Sequence, residues 1–190
     1  MPYIPLEEHL PGITGLLEYR QDSAEPIREL TQVLLRGPSS LTEAERELIA
    51  VVVSNRNQCR FCMTAHTAAA DALLGEHDTS EMVKRDILTA PISDKMKALL
   101  TIAAQVAENG KSVMPASIQK AKDEGASDIE LHDTVLIAAL FCLYNRYVDG
   151  LSTVTPNNAD FYEDLGNRLK EHGYVRLEEG YDHLKGQHIE

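Results

Sequence analysis

Two thiols and an imidazole fall within eight residues in the stretch Cys59-Arg-Phe-Cys62-Met-Thr-Ala-His66, and a carboxylate, Glu47, stands twelve residues before Cys59. If the stretch is helical, separations of three, four and seven put Cys59, Cys62 and His66 on one stripe. The thiolate is the reactive form of cysteine, and a helix N-terminus favours it through exposed N–H groups and the helix dipole. Both thiols lie in the first turn or so of a helix expected over residues 58–74. A thiol oxidised there has a partner within reach for a disulfide. His66, one turn beyond Cys62, can accept the thiol proton. Cys59, Cys62, His66 and Glu47 are also ligand types that zinc accepts, and two cysteines can simply fill a helix interface. Structural zinc sites usually join two short ligand pairs from separate segments, whereas three of these donors share one helix. That favours thiol redox chemistry and leaves zinc as the minor alternative.

Glu47 immediately precedes the apolar run 48–53, Leu-Ile-Ala-Val-Val-Val. On a helix it shares a stripe with Val51, Ser54 and Gln58. A carboxylate at the edge of a buried helix needs a partner, and an imidazole would gain both orientation and basicity from it. Spacing divides evenly between that reading and a solvated first-turn carboxylate like Glu43 and Glu45.

The elements that must position these groups read as all-α. No stretch shows sustained period-2 alternation. Residues 1–22 hold three prolines and two glycines and predict an irregular arm with a short helix over residues 13–19. A helix from Pro26 to about Arg36 ends at Gly37-Pro38. Thr42 and Glu45 form a capping box in front of a helix apolar on every side, hence buried nearly all round. Gly75 stops the thiol-bearing helix, whose alanines allow close helix approach. Further helices are expected over residues 80–89, 94–108 and 115–124. Ser127 and Glu130 form a second capping box for a helix to about Val148, and a last helix covers 159–172. The two capped openings lie 85 residues apart and hint weakly at paired helical units. Residues 173–190 read as a polar tail.

The chain has 190 residues, 43% hydrophobic and 25% charged, which suits a single domain spanning 1–190. A net charge of −12 with no clustered run of Lys or Arg argues against nucleic acid as a partner. The longest apolar run, residues 135–143, is far short of the roughly 20 residues that span a bilayer. The first residues, Met-Pro-Tyr-Ile-Pro-Leu-Glu-Glu, have neither the basic nor the apolar region of a signal peptide, so a cytoplasmic location is expected. Three cysteines are too few, and odd in number, for a secreted disulfide framework.

Glu47, eleven residues, and then Cys59-x-x-Cys62-x-x-x-His66 resemble the signature of the alkylhydroperoxidase-like branch of the carboxymuconolactone decarboxylase family. The flanking Leu-Thr-Glu-Ala-Glu-Arg-Glu-Leu-Ile-Ala of 41–50 and Ala-His-Thr-Ala-Ala-Ala of 65–70 fit as well, and Asn-Arg-Tyr-Val-Asp-Gly of 145–150 is similar to a later segment of the peroxidase-related members. The resemblance covers roughly residues 20–155. It implies an all-helical fold of about seven to nine helices, assembled as trimers or hexamers. It also implies reduction of small hydroperoxides, with no cofactor and no resident metal. On that match Cys62 attacks the peroxide, Cys59 resolves, and His66 and Glu47 relay the proton. The reductant would be a dithiol, a thioredoxin-like or lipoyl protein. Phe61 departs from the match, because the best-studied peroxidases of this type carry a histidine there. The decarboxylase branch lacks the cysteine pair, so lactone decarboxylation is not expected. The alternatives are a redox sensor that does not turn over and another disulfide oxidoreductase.

Other candidates carry less. Cys142 reads as core, Met63 as packing and His132 as surface. Asn145, Arg146 and Asp149 could support the site or an interface. His77, His172, His183 and His188 have no partner pattern.

Overall fold

The run 48–53 forms the centre of the molecule because no face of its helix is polar enough to meet water. In the computed structural model, which describes residues 1–178 and 180–185, every residue from 46 to 54 is buried. The side chain of His183 and all of His188 lie outside the described residues, as does the end of the expected 173–190 tail.

Nine α-helices run through the described residues: α1 (Gly12–Tyr19), α2 (Gln21–Arg36), α3 (Glu43–Arg56), α4 (Arg60–Leu74), α5 (Asp78–Arg85), α6 (Asp94–Glu108), α7 (Pro115–Asp123), α8 (Asp128–Gly150) and α9 (Ala159–His172). Single 3₁₀ turns occur at Gly110–Ser112 and Asp182–Leu184. Among these residues there is no strand, so the fold is all-α as expected. No helix of the described residues is long and apolar enough to cross a membrane.

Both capping boxes form. Thr42 Oγ1 accepts from the Glu45 backbone N–H at 3.2 Å while Glu45 accepts from the Thr42 N–H at 2.8 Å. Ser127 and Glu130 reciprocate in the same way at the start of α8. Two helices start earlier than expected. α2 begins at Gln21 and keeps Pro26 inside it, which removes only the one bond that residue 26 would donate to the Asp22 carbonyl. α5 begins at Asp78 because the Glu76 carboxylate accepts from the Asp78 and Thr79 N–H groups, and it ends by residue 86, where Asp86 Oδ1 accepts from the Leu88 N–H.

α3 packs against α4, α6 and α8, and α9 lies along α4. The main apolar core gathers Leu48 to Val53 with Leu99, Ile102, Ile137 and Phe141. A second, smaller core joins α1, the start of α4, the end of α8 and α9, and it holds Leu16, Phe61, Phe161 and both Cys59 and Cys62. Two glycines make that second core possible. A Cβ on Gly166 would sit 2.6 Å from the Ala68 carbonyl oxygen, so only glycine lets α9 approach α4 so closely. Gly12 has φ of +56°, and a Cβ there would fall 2.3 Å from the Phe61 ring.

Candidate active site

The turn between α3 and α4 sets the first thiol. Gln58 takes a left-handed conformation, φ 58°, which is uncommon for a side chain with a Cβ. It allows the Cys59 N–H to reach back to the Ser54 carbonyl at 3.0 Å, and Cys59 becomes the residue preceding the first turn of α4. Asn145 on α8 braces this turn. Its amide donates to Ser54 Oγ at 3.0 Å and its carbonyl accepts from Asn57 at 2.8 Å. Of the three residues singled out in 145–150, Asn145 therefore supports the turn, while Arg146 is exposed and binds the Cys142 carbonyl of its own helix.

Cys59 and Cys62 are both buried free thiols. Their environments differ. The Cys59 thiol is held well above its ordinary value, first by its hydrogen bond with Cys62 and then by burial, with a smaller effect from the Asp149 carboxylate. Cys62, by contrast, lines a cavity of about 70 Å³ together with Phe61, Ala65, His66, Tyr144 and Tyr174.

Packing of α3 on α4 brings Glu47 to His66, 19 residues apart in sequence. His66 Nδ1 lies 2.7 Å from Glu47 Oε2. A carboxylate only accepts, so Nδ1 carries the proton and donates it, which leaves Nε2 as the acceptor nitrogen. The ring stands edge-on to Phe141 with centroids 4.5 Å apart. Glu47 is completely buried, which decides between the two sequence readings of it. Its other oxygen, Oε1, accepts from Arg36 Nη2 and from the Tyr174 hydroxyl, each at 2.6 Å. Burial pushes the Glu47 carboxyl up, but His66, Arg36 and Tyr174 together outweigh it and hold it below its ordinary value. Tyr174 is pushed well up by burial and by the adjacent carboxylate, so it remains a donor.

Arg36 and Tyr174 escaped the sequence reading. Arg36 closes α2 and reads there as an ordinary basic residue at a helix C-terminus. Tyr174 follows Gly173 in a segment that reads as tail. The Arg36 guanidinium lies over the Tyr174 ring at 5.0 Å, so the two lock each other in place around Glu47. Nothing in local periodicity marks either.

The remaining candidates fall elsewhere. Cys142 is half-buried against the main core. His132 is exposed beside Asp133. His77 joins Asp71 at 2.8 Å, and Ser80 shares that carboxylate, tying α4 to α5. The zinc alternative fails on geometry. Glu47 turns both oxygens to His66 Nδ1, Arg36 and Tyr174, and among the described residues no three His, Cys, Asp or Glu side chains converge on a metal position.

Residues 21–74, which hold all four signature residues, match the model of the Carboxymuconolactone decarboxylase family. The fold is similar to the crystal structure of an uncharacterized peroxidase-related protein from Silicibacter sp. TM1040, with a TM-score of 0.72 and 26% identity over 80% of this chain and 78% of that one. It is also similar to an alkylhydroperoxidase AhpD core, described as an uncharacterized peroxidase-related protein, from Ralstonia eutropha JMP134. There the TM-score is 0.75 and the identity 24%, over 87% of this chain and 96% of that one, a likeness of fold. No curated protein matches this chain significantly.

Proposed function

We propose that this chain, an all-α relative of the peroxidase-related, alkylhydroperoxidase-like proteins of the carboxymuconolactone decarboxylase family, is a thiol-dependent peroxidase for small hydroperoxides. One observation carries the reading. Cys62 and His66 line the same small cavity, Cys59 stands at the start of α4 three residues before Cys62, and His66 is oriented by a fully buried Glu47. A cavity of about 70 Å³ accommodates the head of a hydroperoxide.

In the proposed cycle His66 Nε2 takes the Cys62 proton, and Glu47 stabilises the imidazolium through Nδ1. The positive end of α4 favours negative charge on the attacking sulfur. Cys62 Sγ attacks the terminal peroxide oxygen. The O–O bond breaks, the alkoxide leaves with the proton from His66 as an alcohol, and Cys62 becomes a sulfenic acid. The Cys59 thiol then displaces water from that sulfur and forms the disulfide. An external dithiol, a thioredoxin-like or lipoyl protein, is itself oxidised as it returns both cysteines to thiols. The placement of the pair supports these roles, since Cys62 lines the cavity and Cys59 does not. Arg36 and Tyr174 act as positioning residues, through Glu47. A relay so built does not use position 61, where Phe61 instead packs under Gly12 in the second core. The reading extends to one catalytic unit over residues 1–190, working as a homo-oligomer in the cytoplasm.

Thiol titration before and after one equivalent of tert-butyl hydroperoxide tests this. The wild type should lose two thiols and keep Cys142. Cys59→Ser should stop at a sulfenic acid that dimedone traps. Retention of all three thiols in the wild type, or full turnover by Cys62→Ser, would sink the proposal.

A further inference from the structure

We propose that the cavity beside Cys62 takes an anionic substrate, a small aliphatic hydroperoxide bearing a carboxylate, and that Arg168 on α9 recognises that carboxylate. The inference rests on the peroxidase reading and adds the substrate class.

Arg168 lines the same cavity as Cys62 and His66. Its Nε is buried and has no hydrogen-bond partner. Buried guanidinium donors are nearly always satisfied, and an unmet one marks a place where a ligand or water belongs. The other arginines around the site have their carboxylates. Arg36 holds Glu47 at 2.6 Å, while Arg28 and Arg176 share Glu18, each at 2.8 Å. Among the described residues no acid is paired with Arg168. Asp164 and Glu171, a turn to either side on α9, line the outer groove and form no ion pair with it. Arg28 and Arg176 thus share one carboxylate, Glu18, while Arg168 has no ion-paired acid among the described residues.

The guanidinium lies over the Tyr181 ring, 5.0 Å from the centroid. A cation–π contact of this kind holds the group in place, and the N–H edge of a guanidinium suits side-on, two-point contact with a carboxylate. Lysine, a point charge on a flexible stem, would not replace it.

The rest of the chamber defines the stem. Ile13, Leu17, Leu165 and Leu169 make its wall apolar. A groove of about 480 Å³ shares Arg168, Tyr181, Thr14 and Leu165 with the cavity. Arg168 therefore borders both. A substrate held between Cys62 and Arg168 has its O–O group at the sulfur, a few carbons against the leucines, and its carboxylate on the guanidinium. The chemistry at sulfur is unchanged by this: the alkoxide that leaves carries the carboxylate with it as a hydroxy acid.

The test compares γ-hydroperoxy-isocaproate with its methyl ester as substrates, and measures isocaproate binding to the reduced protein by calorimetry. In the wild type kcat/KM should favour the acid by on the order of tenfold or more, the value of one charge-assisted contact. In Arg168→Gln that ratio should fall to about one, and isocaproate should bind about tenfold more weakly. A wild type that does not distinguish acid from ester overturns the proposal without recourse to any variant, as does an Arg168→Gln protein that keeps the ratio. If neither peroxide is turned over but isocaproate binds in an Arg168-dependent way, the peroxidase reading fails and the anion site stands. Isocaproate binding that is absent or indifferent to Arg168 removes the anion site whatever the turnover.

Discussion

Replacing Arg36 by methionine takes the cation away from a carboxylate that has no contact with water. Arg36 is 5% exposed and Glu47 0%, with Nη2 and Oε1 2.6 Å apart. Removing one partner of such a pair costs about 3–5 kcal/mol, because the other charge stays buried. Arg36 also donates to the Leu35 carbonyl at 2.9 Å and to the Leu169 carbonyl at 3.2 Å, contacts worth about 1 kcal/mol each. The sum is about 5–7 kcal/mol, a fall in Tm on the order of 15–20 °C for a chain of this size. Peroxide consumption should fall as well, because Arg36 fixes the carboxylate that orients His66. Glu47→Gln alone strands the guanidinium instead, at a similar cost. The double variant Arg36→Met/Glu47→Gln buries neither charge, so it should be less destabilised than the two singles added together by about 2–3 kcal/mol. Urea unfolding at pH 7, followed by circular dichroism with the m-values compared, gives all four corners of the cycle. Additivity within about 0.5 kcal/mol would refute the idea that Arg36 and Glu47 form one electrostatic unit.

Tyr174→Phe removes a donor from Glu47 Oε1 and leaves Arg36 on that oxygen. Stability should fall by about 1–2 kcal/mol, and the stopped-flow rate of Cys62 oxidation should drop several-fold; an unchanged rate would take Tyr174 out of the relay. Gly166→Ala forces a Cβ to within 2.6 Å of the Ala68 carbonyl oxygen, against backbone that cannot swing aside. The helix pair must separate at a cost of about 1–3 kcal/mol, read as a lower melting temperature; a neutral result would mean that α9 does not pack on α4 at this distance. Acid should loosen the fold through Glu130. Burial alone would raise its carboxyl, but Lys95, Ser127 and Ser40 prevail and hold it at about 2, against an ordinary 4.5. A folded value below the unfolded one contributes stability above about pH 5, and that contribution is lost as pH falls from 4.5 towards 2. The share is on the order of 1–3 kcal/mol, so the acid limb of a melting curve against pH should be shallower in Glu130→Gln than in the wild type. An equally steep limb would assign the loss to other carboxylates.

Much of the framework is local and therefore readable. Thr42 with Glu45 and Ser127 with Glu130 start their helices with hydrogen bonds that span three residues. Gly75 ends α4 because its φ of 75° is open to glycine. The stripe that joins Cys62 to His66 is one turn of one helix. Where longer-range or side-chain events set a boundary, local reading falters. α2 runs five residues further back than Pro26 suggests, since a helix tolerates one missing bond when its other face is packed, and α5 is displaced by the carboxylates of Glu76 and Asp86.

Residue types and spacing by themselves determined that this chain is all-α, that two thiols and an imidazole share the start of one helix, and that a carboxylate precedes them by a distance that suits a relay. They left Glu47 divided between a solvated carboxylate and a buried one with partners. Only the tertiary structure decided that question, because the groups that hold Glu47 come from elsewhere: Arg36 from the end of α2, and Tyr174 from 127 residues further along the chain. Periodicity says which way a side chain points from its own helix. It says nothing of what another segment brings to meet it, and a buried charge is defined by that meeting.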